Sequence, residues 1–288
     1  VKVRAGYGHK RSALAPLDYA QRWPLKLWLG AVLVFLYAPL VTLVVFSFNQ
    51  SKRNIIWTGF TFDWYRKLLG DTDLLHAFGN SLMIAMLSTL VSLVLGTLAA
   101  VALWRFRFPT KTLFEGAMAL PIVVPEICMG VAMLVFFSRI LPWPADLIWP
   151  LNLGAIVISH ISFSFPFVAV VIRARLASFN REQEEAARDL GASEIRAFFD
   201  VLVPHLQPAL ISGALLAFTL SLDDFVITFF TAGPDTITFP VKVYSMVRFS
   251  VTPEVNAAST LLIAITVVLT AVALKLQGSD VGKSGGHG

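Results

Sequence analysis

Three carboxylates stand where carboxylates are expensive. Glu126 lies in ALPIVVPEICMG, and the pair Asp223-Asp224 lies in FTLSLDDFVITFF, all within long apolar stretches. An ionisable group at membrane depth faces a pathway, a water-filled cavity or a partner charge rather than lipid. Anionic groups along a wet, low-dielectric path favour a cationic solute. Two other readings stay open: pairing with Lys or Arg across a helix or subunit interface, and proton relay. No Lys or Arg within the apolar stretches offers itself as the partner, Lys275 standing at the very end of the last one. Relay is disfavoured because no His or Lys accompanies the acids in the stretches. His160, in the fourth stretch, stands alone and reads as a helix–helix hydrogen bond rather than a ligand. Pro121 and Pro125 bracket the approach to Glu126, and each removes a backbone hydrogen bond and can bend a helix. Carbonyls freed at that depth must line a cavity or pack on protein.

The second constellation is polar. EEAARDLGAS, Glu184 to Ser193, interrupts the apolar pattern and runs on to Val203-Pro204. Asn180 can cap a helix whose first turn carries Glu182, Glu184 and Glu185, which suits a positive helix end. Gly191 can end that helix in a left-handed conformation. Ser193 can cap a second helix, with Phe198, Phe199 and Leu202 as its apolar stripe. The spacing predicts a helix–turn–helix with small side chains, Ala186 and Ala187, that admit a partner closely. An amphipathic connector without a partner is the bland alternative.

Elsewhere the sequence is chemically quiet. Gly278-Ser-Asp-Val-Gly282-Lys283-Ser284 imitates a phosphate-binding loop, with three residues between its glycines instead of four and no preceding strand. It reads as tail. No metal-ligand spacing and no nucleophile–base arrangement is present, so the chain reads as a non-enzyme that does not hydrolyse ATP. The single cysteine, Cys128, rules out an internal disulfide framework.

The elements that must position these groups are membrane helices. The chain of 288 residues is 56% hydrophobic and 14% charged, with a mean hydropathy of +0.72, outside the balance of a soluble domain. A hydrocarbon core of about 30 Å needs about 20 helical residues. The segments 27–48, 79–104, 113–138, 151–172, 206–231 and 256–276 satisfy that, and their length favours helices over strands. Asn80 with Ser81 is placed to cap or line the start of the second, and Pro208 sits in the first turn of the fifth. At about 1.5 Å per residue, Glu126 and Asp223 lie roughly 20 and 25 Å along straight helices. Adjacent aspartates, about 100° apart on a helix, can border one cavity.

Orientation follows from the basic residues. Of 23 Lys and Arg, sixteen fall on the side of the termini and the Glu184–Ser193 loop, and seven on the other. The positive side is cytoplasmic. Trp23, Trp28 and Trp104 then mark the inner interface, and Trp57, Trp64, Trp143 and Trp149 the outer one or its periplasmic loops. The formal charge of +5 does not suggest nucleic acid, because the basic residues flank apolar stretches. No cleavable signal peptide is apparent in the polar first twenty residues. The domain reading is a cytoplasmic segment 1–26, a six-helix domain 27–276 that includes the cytoplasmic loop 181–204, and a flexible tail 277–288.

Glu185-Ala186-Ala187, three residues, Gly191, nine residues, then Val201, Val203 and Pro204 resembles the loop by which permease subunits of bacterial ABC importers dock onto their ATPase. Val201 and Val203 stand where Ile and Leu are usual. SFNQSK, GFTFDWYRKLL, LSLDDFVITFF and YSMVRFSVTPEVNA extend the resemblance over nearly the whole chain. They look like the second permease of the pair in spermidine/putrescine importers. The resemblance implies an all-α, six-helix type I ABC importer permease in the bacterial inner membrane. It implies alternating access, with a second permease, two ATPase subunits that hold ATP and Mg, a periplasmic binding protein and lipid as partners. It places Trp64, Glu126, Ser221, Asp223 and Asp224 on the substrate path. It places Glu185, Ala186, Ala187, Gly191, Glu194 and Pro204 in the coupling loop. Glu126 stands where members of the subgroup carry Asp, which keeps the charge and changes its reach. Alternatives are an importer of another amine, an amino acid or an opine, an ion-coupled secondary transporter, or a membrane enzyme. No convincing inverted repeat supports the second of these classes.

Overall fold

The computed structural model describes residues 23–51, 56–140, 151–249 and 252–284. The expectations for residues 1–22, Trp143 and Trp149 lie outside these. The core is dictated by small residues. Ser81, Ala85, Ser88, Ser92, Gly96 and Ala100 recur every three or four positions and share one helix face. All six are buried in α3 (Thr72–Arg105). Helices in lipid associate through such close approaches, since lipid offers no hydrophobic drive between them. Two long helices pack on that face, α6 (Leu153–Leu176) and α9 (Val203–Leu222). At Gly96 an added Cβ would sit 2.8 Å from both the Phe165 carbonyl oxygen and the Val168 Cβ, so only glycine permits this α3–α6 contact. Leu103, Ile172, Leu176, Leu202 and Leu206 close the core at the end that carries the polar loop.

The remaining helices surround this bundle. α1 (Trp23–Phe46) buries no residue, and it packs against the last helix, as a peripheral span in lipid would. α2 (Asp63–Gly70) follows at the end opposite the polar loop. There residues 47–51 are held by their own polar groups. Asn49 is buried; its Nδ2 donates to Ile56 O and its Oδ1 accepts from Thr58 N. Ser47 bonds the Tyr65 hydroxyl at 2.7 Å.

The third stretch is not a straight span. α4 (Lys111–Val123) stops at Val124-Pro125, and α5 (Glu126–Val135) leaves at 110° to it. Val124 is extended, with ψ at 134°, because the residue before proline is driven out of the α region. The depth expected for Glu126 from continuous helical rise is therefore replaced by a position at a sharp bend. A π-helical turn, Phe136–Ile140, ends this arm. The fifth stretch is broken too. α9 ends at Leu222, residues 223–225 are non-helical, and α10 (Val226–Thr231) resumes. The aspartates are thus not two positions on one helix.

Other boundaries shift for identifiable reasons. α3 starts at Thr72, not 79, because Asp71 caps it by accepting from Asp73 N and Leu74 N. Asn80 and Ser81 are consequently mid-helix. They bond Ile237 O and Phe239 N, tying α3 to the start of α11 (Phe239–Phe249). Pro208 lies inside α9 instead of its first turn, which holds Pro204. α12 (Pro253–Ser284) continues through residues expected as tail, and Gly278 and Gly282 do not interrupt it. The chain is all-α, with no strand among the described residues beyond one bridge between Asn49 and Phe60. Among the described residues five helices are long and apolar enough to cross a membrane, or six if the bent α4–α5 pair counts as one span.

Candidate functional site

The two breaks lie side by side. α5 packs on α10, and Gly130 of α5 sits so close that an added Cβ would meet Phe230 at 2.7 Å. Glu126 is the first residue of α5 and is exposed; Asp223 follows the last residue of α9 and is also exposed. Asp223 is within electrostatic range of both Glu126 and Asp224. Two open carboxylates thus share the region where two spans are interrupted. Each break also ends one helix and begins another, which leaves terminal backbone groups there.

Asp224 faces the other way. Its side chain is 4% exposed, and its oxygens accept from Ile227 N at 3.3 Å, Thr228 N at 2.8 Å and the Thr228 hydroxyl at 2.8 Å. Those amides open α10, so Asp224 satisfies a helix start that would otherwise be orphaned. This is also why the span breaks: an Asp that bonds amides three and four residues ahead competes with continuation of α9. His160 of α6 completes the group, with Nε2 at 3.2 Å from the Asp224 carboxylate and 2.9 Å from Thr228 Oγ1. The expectation that no histidine lies near the acids is corrected here. The inter-helix hydrogen-bonding expected of His160 is present, and its partners sit at the break.

The remaining path residues named from the sequence are placed apart. Ser221 is buried, and its hydroxyl lies 2.6 Å from His160 Nδ1 and 3.0 Å from Ser88 Oγ. Trp64 is half-buried at the far end on α2, where its indole N–H donates to Asn49 O at 2.8 Å. The structure thus brings Glu126 and Asp223 together in the open, directs Asp224 and Ser221 inward, and gives Trp64 a bond within its own end of the molecule.

The polar loop is a helix–turn–helix. α7 (Glu182–Asp189) has Arg181 as its N-cap, without a side-chain cap bond, in place of the expected Asn180, whose Oδ1 instead accepts from Glu182 N; three acidic side chains fill its first turn. Gly191 follows with φ at +91°, in the left-handed region that glycine enters without strain. Ser193 caps α8 (Glu194–Ala197) by accepting from Arg196 N, and a π-helical turn, Phe198–Leu202, joins it to α9. The expected Phe198–Phe199–Leu202 stripe divides. Leu202 is buried and Phe198 partly so, because the π-turn rotates Phe199 outward. Glu185, Ala186 and Pro204 are exposed and Ala187 is half-buried. Leu190, Ile195 and Phe199 are 90%, 73% and 60% exposed, an apolar surface on an otherwise charged loop.

Five charged residues bind this loop to the bundle. Glu184, buried, accepts from Arg105 of α3 at 3.0 Å and Arg188 at 3.3 Å. Glu194 receives the same two arginines at 3.2 and 3.1 Å. Arg181 stacks over Trp104 at 4.3 Å and donates to its carbonyl oxygen at 3.1 Å. Glu194 is therefore engaged within the chain, while Glu185 points outward. Sequence reasoning missed the ion pairs of Arg105 and Glu184 and the acid that His160 bonds. For His160 a signal existed: a lone imidazole in a span needs a partner, and an acid in a neighbouring span can supply one.

A bundle of apolar helices, two spans broken around open carboxylates, and a helical surface loop latched to the bundle define a membrane transport subunit. Residues 92–278 match the family described as "Binding-protein-dependent transport system inner membrane component", and the chain belongs to that family. It is 44% identical over 233 residues to the putrescine transport system permease protein PotI of Escherichia coli K12, covering 80% of this chain and 82% of that one. It is 38% identical over 244 residues to the spermidine/putrescine transport system permease protein PotC of the same organism, covering 84% and 89%. Among solved structures, a bacterial alginate ABC transporter in complex with an alginate pentasaccharide-bound periplasmic protein matches with a TM-score of 0.68. The identity is 20%, over 89% of this chain and 92% of that one. The MetNI methionine ABC transporter, in an inward-facing form, matches with a TM-score of 0.60 and 17% identity, over 72% and 95%. The fold is that of type I ABC importer permeases.

Proposed function

We propose that this chain is one permease subunit of an ATP-driven importer and that it passes a small organic polycation of the putrescine/spermidine class. The observation that carries the proposal is the pair of open carboxylates, Asp223 and Glu126, at adjoining breaks in two spans. A carboxylate beside an ammonium gains about 4 kcal/mol at 4 Å when the effective dielectric is near 20. Two such groups offset part of the desolvation of a diamine in transit. The relatives named for putrescine and spermidine transport support the same solute class.

In this reading a second permease completes the pore, and a periplasmic binding protein delivers solute. Two separate ATPase subunits hold ATP and Mg and dock on the Glu182–Leu202 loop through Glu185, Ala186 and the exposed Leu190, Ile195 and Phe199. The loop and both termini are cytoplasmic, in accord with the basic asymmetry of the sequence. The test is uptake of labelled putrescine and spermidine by the assembled transporter in proteoliposomes. Asp223→Asn keeps size and hydrogen bonding while deleting charge, and it is expected to reduce uptake at least tenfold, a loss of about 1.4 kcal/mol or more. Wild-type uptake by the Asp223→Asn, Glu126→Gln double variant at normal expression would refute the electrostatic role.

A further inference from the structure

His160 spans the break in the fifth apolar stretch. Its ring is 2% exposed and stands on α6, outside the broken span. Nδ1 reaches Ser221, in the last turn of α9, and Nε2 reaches Thr228, in the first turn of α10, together with Asp224 between them. One neutral tautomer satisfies every atom. Ser88 donates to Ser221, Ser221 donates to Nδ1, and Nε2–H donates to Thr228 Oγ1 and the Asp224 carboxylate. With the Thr228 amide and hydroxyl and the Ile227 amide, this engages both Asp224 oxygens in a side chain that is 4% exposed.

Given the solute path proposed above, we infer that His160 is a positioning residue: it ties Asp224 inward across the break so that Asp223 alone of the pair meets the solute. The adjacent aspartates then have separate work. Asp224 takes up the positive start of α10 and anchors to the bundle through His160. Among the described residues the Asp223 carboxylate meets only its own backbone amide, which also donates to Thr219 O at 3.2 Å, and it is exposed. Without the imidazole, Asp224 loses a donor, and α10 loses its link through α6 to α9. The aim of Asp223 then relaxes. A buried carboxylate deprived of one donor also competes for the solute's ammonium groups in the wrong geometry.

The experiment uses the assembled transporter, with its second permease, ATPases and binding protein, in a Cys128→Ala background. Single Asp223→Cys and Asp224→Cys variants are treated with a small cationic methanethiosulfonate. Cysteine at 223 is expected to react and to be protected by spermidine, and cysteine at 224 to react at least tenfold more slowly, as its burial requires. Combining His160→Leu with Asp223→Cys should abolish the protection, and His160→Gln, which keeps a donor and an acceptor, should restore it. In uptake, His160→Leu should raise KM about tenfold, the loss of one hydrogen bond to a charged group, while ATP hydrolysis is retained. Adding Asp224→Asn to His160→Leu should change KM less than about twofold, whereas Asp223→Asn should add its full effect. Equal reactivity at 223 and 224, or an unchanged KM in His160→Leu, overturns the inference. If His160→Leu fails to assemble, the comparison of the two cysteines, which leaves His160 in place, decides. The expected labelling pattern without protection by putrescine or spermidine would tell against the solute class and leave the separation of the aspartates standing.

Discussion

Arg105 is the residue whose loss should separate the loop from the bundle. It terminates α3, the central helix, and its guanidinium faces Glu184 of α7 at 3.0 Å and Glu194 of α8 at 3.2 Å. At 3.0 Å and an effective dielectric near 20, one such pair is worth about 5 kcal/mol before desolvation. Removing one partner of a buried pair costs about 3–5 kcal/mol, because the other charge stays buried. Two features reduce that here. Arg188 still holds Glu184 at 3.3 Å, and the Arg105 side chain keeps 21% of its surface in solvent. We take about 2 kcal/mol for Arg105→Gln, roughly half the buried-pair cost, or about a thirtyfold shift toward an unlatched loop. The assay is hydrogen exchange of the Glu182–Asp189 amides in the purified transporter, read together with solute moved per ATP hydrolysed. Exchange in α7 is expected to rise about thirtyfold, since local opening sets it, and the transport ratio to fall. Arg105→Lys should fall between, as it keeps charge but cannot fork to both glutamates. Unchanged exchange in α7 with Arg105→Gln would refute the latch.

Three further outcomes follow from the geometry. Gly96→Val should destabilise the α3–α6 contact by about 1–3 kcal/mol, the usual cost of overpacking, and lower the melting temperature of the detergent-purified complex. Gly191→Ala meets open space, so its cost is backbone strain alone, about 1–2 kcal/mol at φ +91°, visible as faster exchange around residues 190–193. In a Cys128→Ala background, Thr58→Cys is expected to label from outside intact spheroplasts and Gln183→Cys is not; the reverse pattern would invert the orientation and remove the loop from the ATPase side.

The sequence carried some features openly. Apolar length marked the spans, and Asn180, Gly191 and Ser193 marked the loop's turns, because capping chemistry is local. The acids were visible as anomalies of burial. What escaped was anything decided by two distant segments. Pro125 announced a possible bend but not its 110°, which depends on α5 finding a bed on α10. Asp223 and Asp224 are identical in type and adjacent in sequence, so nothing local says which is open. That assignment comes from His160, more than sixty residues upstream, and from amides that become free only once the helix breaks. Arg105 looked like one more interfacial cation. Its role appeared only when folding placed the end of α3 against α7.

The two breaks share an electrostatic pattern that bears on the sign of the solute. A helix ends with unpaired carbonyls and begins with unpaired amides, so a broken span offers both a negative and a positive end at membrane depth. Broken spans elsewhere use the positive end for anions and the negative end for cations. In this chain an acid stands at each positive end. Glu126 sits at the first residue of α5, and Asp224 takes the amides of Ile227 and Thr228 at the start of α10. The carbonyl ends of α4 and α9 have no such cover from a basic side chain in the adjoining residues 124–126 and 223–225. Each break is therefore biased toward a cation, and Asp223 adds charge to that bias without using it to start a helix. On the solute path proposed above, the acids do more than hold a solute: Asp224 masks a dipole that would repel it. A permease of this fold that carries an anion has no reason to mask those amides, so the acid at the start of the resumed helix, rather than acidity in general, is the feature that distinguishes a cation path.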